Sequence, residues 1–137
     1  MIGTPEQDDF ISKNTRAVVT TLRRSGAPAS SLIVFARDGD DLIFSTRKPT
    51  LKVKTLTRDP RIDLCVLDGA GSGFVSIEGT ATVETDDIVP KHVAINRAMR
   101  GQPDWMPPEG FDERLRNEQR VVVRVRAQRV SGVVGRR

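Results

Sequence analysis

Residues 45–54, Ser45-Thr46-Arg47-Lys48-Pro49-Thr50-Leu51-Lys52-Val53-Lys54, gather the groups that bind a phosphate into one short stretch. An oxyanion is held by backbone N–H donors at a helix start, by hydroxyls and by a nearby cation. Ser45, Thr46 and Thr50 carry the hydroxyls, and Arg47, Lys48, Lys52 and Lys54 the charge. A solvated cationic helix has the same composition, so residue chemistry alone leaves both readings open. Ala29-Ser30-Ser31 is a second candidate. Small and hydroxyl-bearing residues at the mouth of a strand let a flat ring approach the backbone, although a plain strand start reads the same way.

Two further features could carry chemistry. The loop 69–73 is rich in glycine but lacks the G-x-G-x-x-G spacing and any surrounding βαβ unit, and there is no Walker A sequence. It reads as a hairpin loop that closes over a ligand or simply turns the chain. Arg120, Arg124, Arg126 and Arg129 form a cationic stripe near the C-terminus. Such a stripe binds nucleic acid or forms the charged outer face of a strand. The aromatic residues that interleave single-strand binding stripes are missing, which argues against a nucleic-acid partner.

Other chemistries are poorly supplied. The chain has one histidine and one cysteine. Cys65 lies in the apolar run Leu64-Cys65-Val66-Leu67 and reads as a small hydrophobe. His92 follows Ile88 by four residues and precedes Ile95 by three, so it reads as a structural or interface residue. Neither a Ser-His-Asp set nor a metal-ligand set can be assembled, and no metal is expected. An enzyme built from these residues takes its reactivity from a cofactor.

The elements that must position these groups follow from apolar periodicity. Asp8 or Asp9 is expected to cap a short helix through Lys13. Strands are predicted over 17–22, 29–37, 42–46, 62–67, 74–83 and 120–130. Asp38-Gly39-Asp40-Asp41 is a hairpin turn, and Gly79 within its strand marks a bulge. The segment 48–58 is predicted helical, with Ser45 or Thr46 as its cap and Pro49 in its first turn. A second helix follows Thr85-Asp86-Asp87, and 111–118 forms a third, short one. The last strand is expected to place Val121, Val123 and Val125 on one face and Arg120, Val122, Arg124 and Arg126 on the other. The order β-β-β-α-β-β-α-β predicts a mainly β, antiparallel barrel with helices at its openings.

At 137 residues the chain suits a single domain, expected over 1–137. With 4% aromatics and no tyrosine, its core must be aliphatic. The polar, acidic start and the lack of a long apolar run predict a cytoplasmic protein without a membrane partner. A net charge of +4 suits an anionic ligand or an ordinary charged surface.

In this order the motifs resemble the pyridoxamine 5′-phosphate oxidase-like split-barrel superfamily. Residues 20–31 resemble its first hairpin. Phe44-Ser45-Thr46, Lys52, Leu56 and Arg58-Asp59-Pro60-Arg61 resemble its cofactor-phosphate segment, and Ile77-Glu78-Gly79-Thr80-Ala81 the strand that follows. The similarity spans about residues 18–130. Within the superfamily, the short length, the Lys-rich segment and the Trp105 loop look most like the flavin/deazaflavin oxidoreductases of type B. That resemblance implies a split β-barrel homodimer with two sites, each built by both chains. It implies coenzyme F420 as cofactor, with FMN as the alternative, and hydride transfer to a small unsaturated substrate; a non-catalytic cofactor carrier is the other reading. Carried over, Ala29, Ser30 and Ser31 line the ring and ribityl region, Ser45 and Thr46 meet the ring or chain, and Thr50 and Lys52 hold the phosphate with Lys48 nearby. Ser72, Gly73 and Phe74 approach from the partner subunit. Family members often carry Arg or Ser where this chain has Thr50, which keeps a hydroxyl but no charge. The basic surface leans towards F420, whose oligoglutamate tail is anionic. The mouth of the groove, expected near residues 102–111, would set the substrate.

Overall fold

Alternating apolar residues sort each strand into an inner and an outer face, and six such strands close on themselves. The computed structural model describes residues 1–134. Along the chain lie α1 (Pro5–Lys13), β1 (Arg16–Leu22), β2 (Pro28–Asp38), β3 (Asp41–Arg47), α2 (Leu51–Arg58), β4 (Arg61–Leu67), β5 (Phe74–Glu84), α3 (Ile88–Arg100), α4 (Phe111–Asn117) and β6 (Arg120–Val133). The strands form a closed barrel in the order β1-β2-β3-β6-β5-β4, and every pairing is antiparallel. This is the mainly β split barrel with helices that the sequence predicts. Closure leaves no free sheet edge for another chain to pair with.

The barrel interior is aliphatic with two phenylalanines: Val19, Phe35, Phe44, Leu64, Ile77 and Val123 are all buried there, and Leu56 of α2 joins them. Gly79 marks a register shift in the β5–β6 pair, as its position predicts. A Cβ at Gly79 would run into the Arg126 carbonyl oxygen, so only glycine lets β6 pass.

Three local expectations are corrected. Thr4, not Asp8 or Asp9, caps α1. Its hydroxyl accepts from the Gln7 amide while the Gln7 side chain accepts from the Thr4 amide, at 3.2 and 2.9 Å. Asp8 turns instead to the Ile2 amide and to Arg37. Helix α2 begins at Leu51 with Thr50 as its N-cap, and Pro49 stays outside it. The reason is a tight turn: the amide and hydroxyl of Thr50 both donate to the Arg47 carbonyl, at 3.1 and 2.8 Å. Finally, Val122 shares the outer face with the arginines yet is fully buried. Helix α3 lies across that face and packs Ile95 on Ala36, Ile43 and Val122.

That helix makes the barrel asymmetric. The outer faces of β2, β3 and β6 are roofed by α3, while outer-face residues Leu67 and Phe74 of β4 and β5 remain exposed. No helix among the described residues is long and apolar enough to cross a membrane.

Candidate functional site

Lys52 is the second residue of α2, and α2 seats Leu56 in the barrel core. This fixes the ammonium at the barrel mouth, where Nζ donates to Ser31 Oγ of β2 at 3.0 Å. The first turn of α2 holds no acidic residue, and the Thr50 side chain makes no bond to the first helical amides. Those amides have no intrahelical acceptors and point outward beside Lys52. The donor set therefore fits a phosphate: open amides, an ammonium and a basic neighbour, Arg47.

Between this helix start, β2, β3 and the roof formed by α3 and α4 lies a cleft of about 470 Å³. Ser45, Thr46, Thr50 and Lys52 line it with Arg47, and Leu32 and Met99 give it an exposed apolar lip. At the α4 side Arg114 and Arg120 line it together with Glu118, which pairs with both at 3.8 and 2.9 Å. Thr46 is buried, and its hydroxyl is paired with that of Thr50 at 3.2 Å. Because both the amide and the hydroxyl of Thr50 donate to the Arg47 carbonyl, Thr50 keeps no free donor for a phosphate oxygen and lines the cleft as an acceptor.

The other carried-over residues are dispersed. Ser31 is on the inward row of β2 with the buried Ile33 and Phe35, and half-buried Ala29 shares that row. Ser30 faces the other way and pairs its hydroxyl with Thr20 at 2.9 Å. Lys48 is exposed in the turn before α2, and its amide ties that turn to the Gln119 carbonyl at 2.8 Å. Ser72, Gly73 and Phe74 lie outside the cleft of their own chain. They border a separate apolar recess with Cys65, Leu67 and Val133. Asp68 organises their loop, accepting from the Ser72 amide and hydroxyl at 2.9 and 2.8 Å. Residues 102–111 do not line the cleft either; α4 supplies that wall through Arg114 and Leu115. The loop is held on α3, with Arg97 donating to the Trp105 carbonyl at 2.8 Å and Arg100 stacked 4.9 Å from the Trp105 ring.

His92 is among the cleft residues that the sequence did not point to as part of a site. It is buried in α3, with Nδ1 2.6 Å from the Ile88 carbonyl oxygen and Nε2 2.7 Å from Ser45 Oγ. Burial lowers its basicity; the Ile88 bond and Glu118 oppose this, and Arg120 reinforces it. Its helical spacing with Ile88 and Ile95 looks structural in sequence, and nothing local points to Ser45, 47 residues earlier.

The arginine stripe has partners of its own. Arg124 bonds Glu84, Asp41 and Asp38 at 2.9, 3.2 and 2.8 Å, and Arg120 pairs with Glu118 at 2.9 Å.

A family profile described as pyridoxamine 5′-phosphate oxidase matches residues 4–134. The chain belongs to that family. Among solved structures it is similar to an F420 reductase, with a TM-score of 0.71 at 20% identity over 90% of this chain and 94% of the other. It is also similar to a conserved hypothetical protein from Mycobacterium tuberculosis, with a TM-score of 0.79 at 22% identity over 97% and 86%. A FAD-binding protein from Mesorhizobium loti gives 0.69 at 19% identity over 96% and 94%. At such identities the likeness is one of fold. No curated protein matches the chain in sequence.

Proposed function

We propose that the cleft binds a flavin-type cofactor by its phosphate, and that the chain is an F420-dependent oxidoreductase acting on a small unsaturated molecule. Family membership supports the cofactor class. The observation that carries the reading is the open amide end of α2 beside Lys52, facing a cleft of a size suited to a ring cofactor. Lys52 and the α2 amides hold the phosphate, with Arg47 adding charge. In this reading Ser45 of β3 meets the ring or chain from the cleft wall, and Ser31 of β2 holds the Lys52 ammonium in place. The apolar lip of Leu32 and Met99 covers the reacting face from water. When bound, the deazaflavin supplies a hydride, and the residues around it contribute binding and orientation.

The reading includes a cytoplasmic homodimer. Leu67, Phe74 and Val133 are exposed around the Ser72–Gly73 loop, an apolar surface that a second barrel would cover. FMN is the second reading, supported by the fold shared with a FAD-binding protein. Titration of the purified protein with F420 and with FMN, followed by fluorescence polarisation, tests both. Saturable F420 binding is expected. Tight FMN binding with none for F420 would replace the first reading by the second. Oxidation of reduced F420 by a panel of conjugated substrates then separates an enzyme from a carrier.

A further inference from the structure

His92 is the only histidine of the chain, and both of its ring nitrogens are engaged. The Nδ1 partner, the Ile88 carbonyl at 2.6 Å, can only accept, so Nδ1 carries a proton. In the neutral ring Nε2 is then bare and must accept, and the Ser45 hydroxyl 2.7 Å away gives it its single proton. What Ser45 still offers is an oxygen with lone pairs and no hydrogen left to donate, in the wall of the cleft.

We propose that His92 is a positioning residue that makes Ser45 a pure acceptor, so that this point of the cleft selects a ligand edge bearing an N–H or O–H. A carbonyl or phosphate oxygen placed there meets lone pairs and is disfavoured. Burial of the ring first, and the positive charge near it second, favour the neutral form that has this polarity. Arg120 of β6 faces His92, Glu118 at the end of α4 partly offsets it, and Arg47, Lys52 and Arg114 share the cleft. When the ring is protonated in acid, Nε2 becomes a donor to Ser45, the Ser45 proton turns outward and the preference inverts. The ligand edge alone rests on the cofactor reading; the imide N–H of a flavin or deazaflavin ring has the required polarity.

The single imidazole makes the test direct. Long-range ¹H–¹⁵N correlation of the protein without ligand, at about pH 7, is expected to show Nδ1 protonated and Nε2 bare. Ser45→Ala should shift the Nε2 resonance and leave the Nδ1–H in place. A ring protonated at Nε2 alone, or at both nitrogens near neutrality, would overturn the proposal. FMN and F420 titrated at several pH values provide the second arm. Wild-type affinity should drop about tenfold as His92 protonates, a loss the size of one hydrogen bond. His92→Gln should remove the pH dependence, and Ser45→Ala should bind about tenfold more weakly than wild type at neutral pH and change little with pH. Variants that match the wild-type affinity and its pH profile would contradict the inference. If neither cofactor binds the wild type, the proposed function fails, while the ¹⁵N spectrum still decides the polarity of Ser45.

Discussion

Lys52 and Arg124 are both cations outside the barrel core, yet they stand in opposite company. Arg124 is clamped by carboxylates from three other strands: Glu84 at 2.9 Å, Asp41 at 3.2 Å and Asp38 at 2.8 Å. Lys52 has one neutral partner, the Ser31 hydroxyl at 3.0 Å, and among the described residues no carboxylate lies within ion-pair distance of it. The first cation is spent on the fold. It ties β2, β3, β5 and β6 together, and Glu84 passes the link to Lys91 of α3 at 2.9 Å. The second is left uncompensated beside open helix amides, where an incoming anion completes it. Positive charge marks a binding site only where the protein has not already neutralised it.

The contrast breaks first at Arg124. Arg124→Met should cost about 1–3 kcal/mol, below the scale of a fully buried pair, because three part-exposed carboxylates lose their shared cation and only Glu84 keeps another, Lys91. Urea unfolding measures it, and a loss below about 0.5 kcal/mol, the range of an ordinary surface change, would make the network ornamental. A smaller effect is expected from acid. Burial works to raise the Glu84 carboxyl, but bonds from Arg124 and Lys91 outweigh it and hold the group below its ordinary value. The unfolded chain therefore binds that proton at higher pH than the folded one. The contribution is full above about 4.5, the ordinary glutamate range, and fades as pH falls through the folded value. Glu84→Gln should flatten this part of the stability profile; an unchanged acid slope would show that the pair is not coupled to folding. Lys52→Ala is expected to change least. With no ion pair to lose, its stability should stay within about 0.5 kcal/mol of wild type, and a larger drop would place Lys52 with Arg124 as a structural cation.

Much of this architecture was legible because its causes are local. Six runs of β-branched and aliphatic residues, the Asp38–Asp41 turn and Gly79 each announce themselves within a few positions, and the structure places them as read. The helix caps were less legible, since several residues compete for one role: Thr4 wins over Asp8 through a reciprocal bond with Gln7, and the turn at Arg47 delays α2 to Leu51. Contacts across the chain left no sequence signal. The carboxylates around Arg124 come from 40 to 86 residues away. Val122 looks outward in its strand and is buried only because α3 crosses it. His92 meets Ser45 for the same reason. Of the site, the pairing of Lys52 with Ser31 agrees with the segments that sequence brought forward. Ser72, Gly73 and Phe74 lie apart from it within one chain, at a recess of their own.

The central claim is that Lys52, and not the arginine network, anchors a phosphate-bearing cofactor. It is tested most directly by titrating F420 and FMN into wild type, Lys52→Ala and Arg124→Met, each shown to be folded at the temperature used. Lys52→Ala should bind about 10- to 100-fold more weakly, the scale of one lost charge-assisted bond, while folded Arg124→Met keeps wild-type affinity. Equal affinity of wild type and Lys52→Ala for the cofactor that binds would contradict the account.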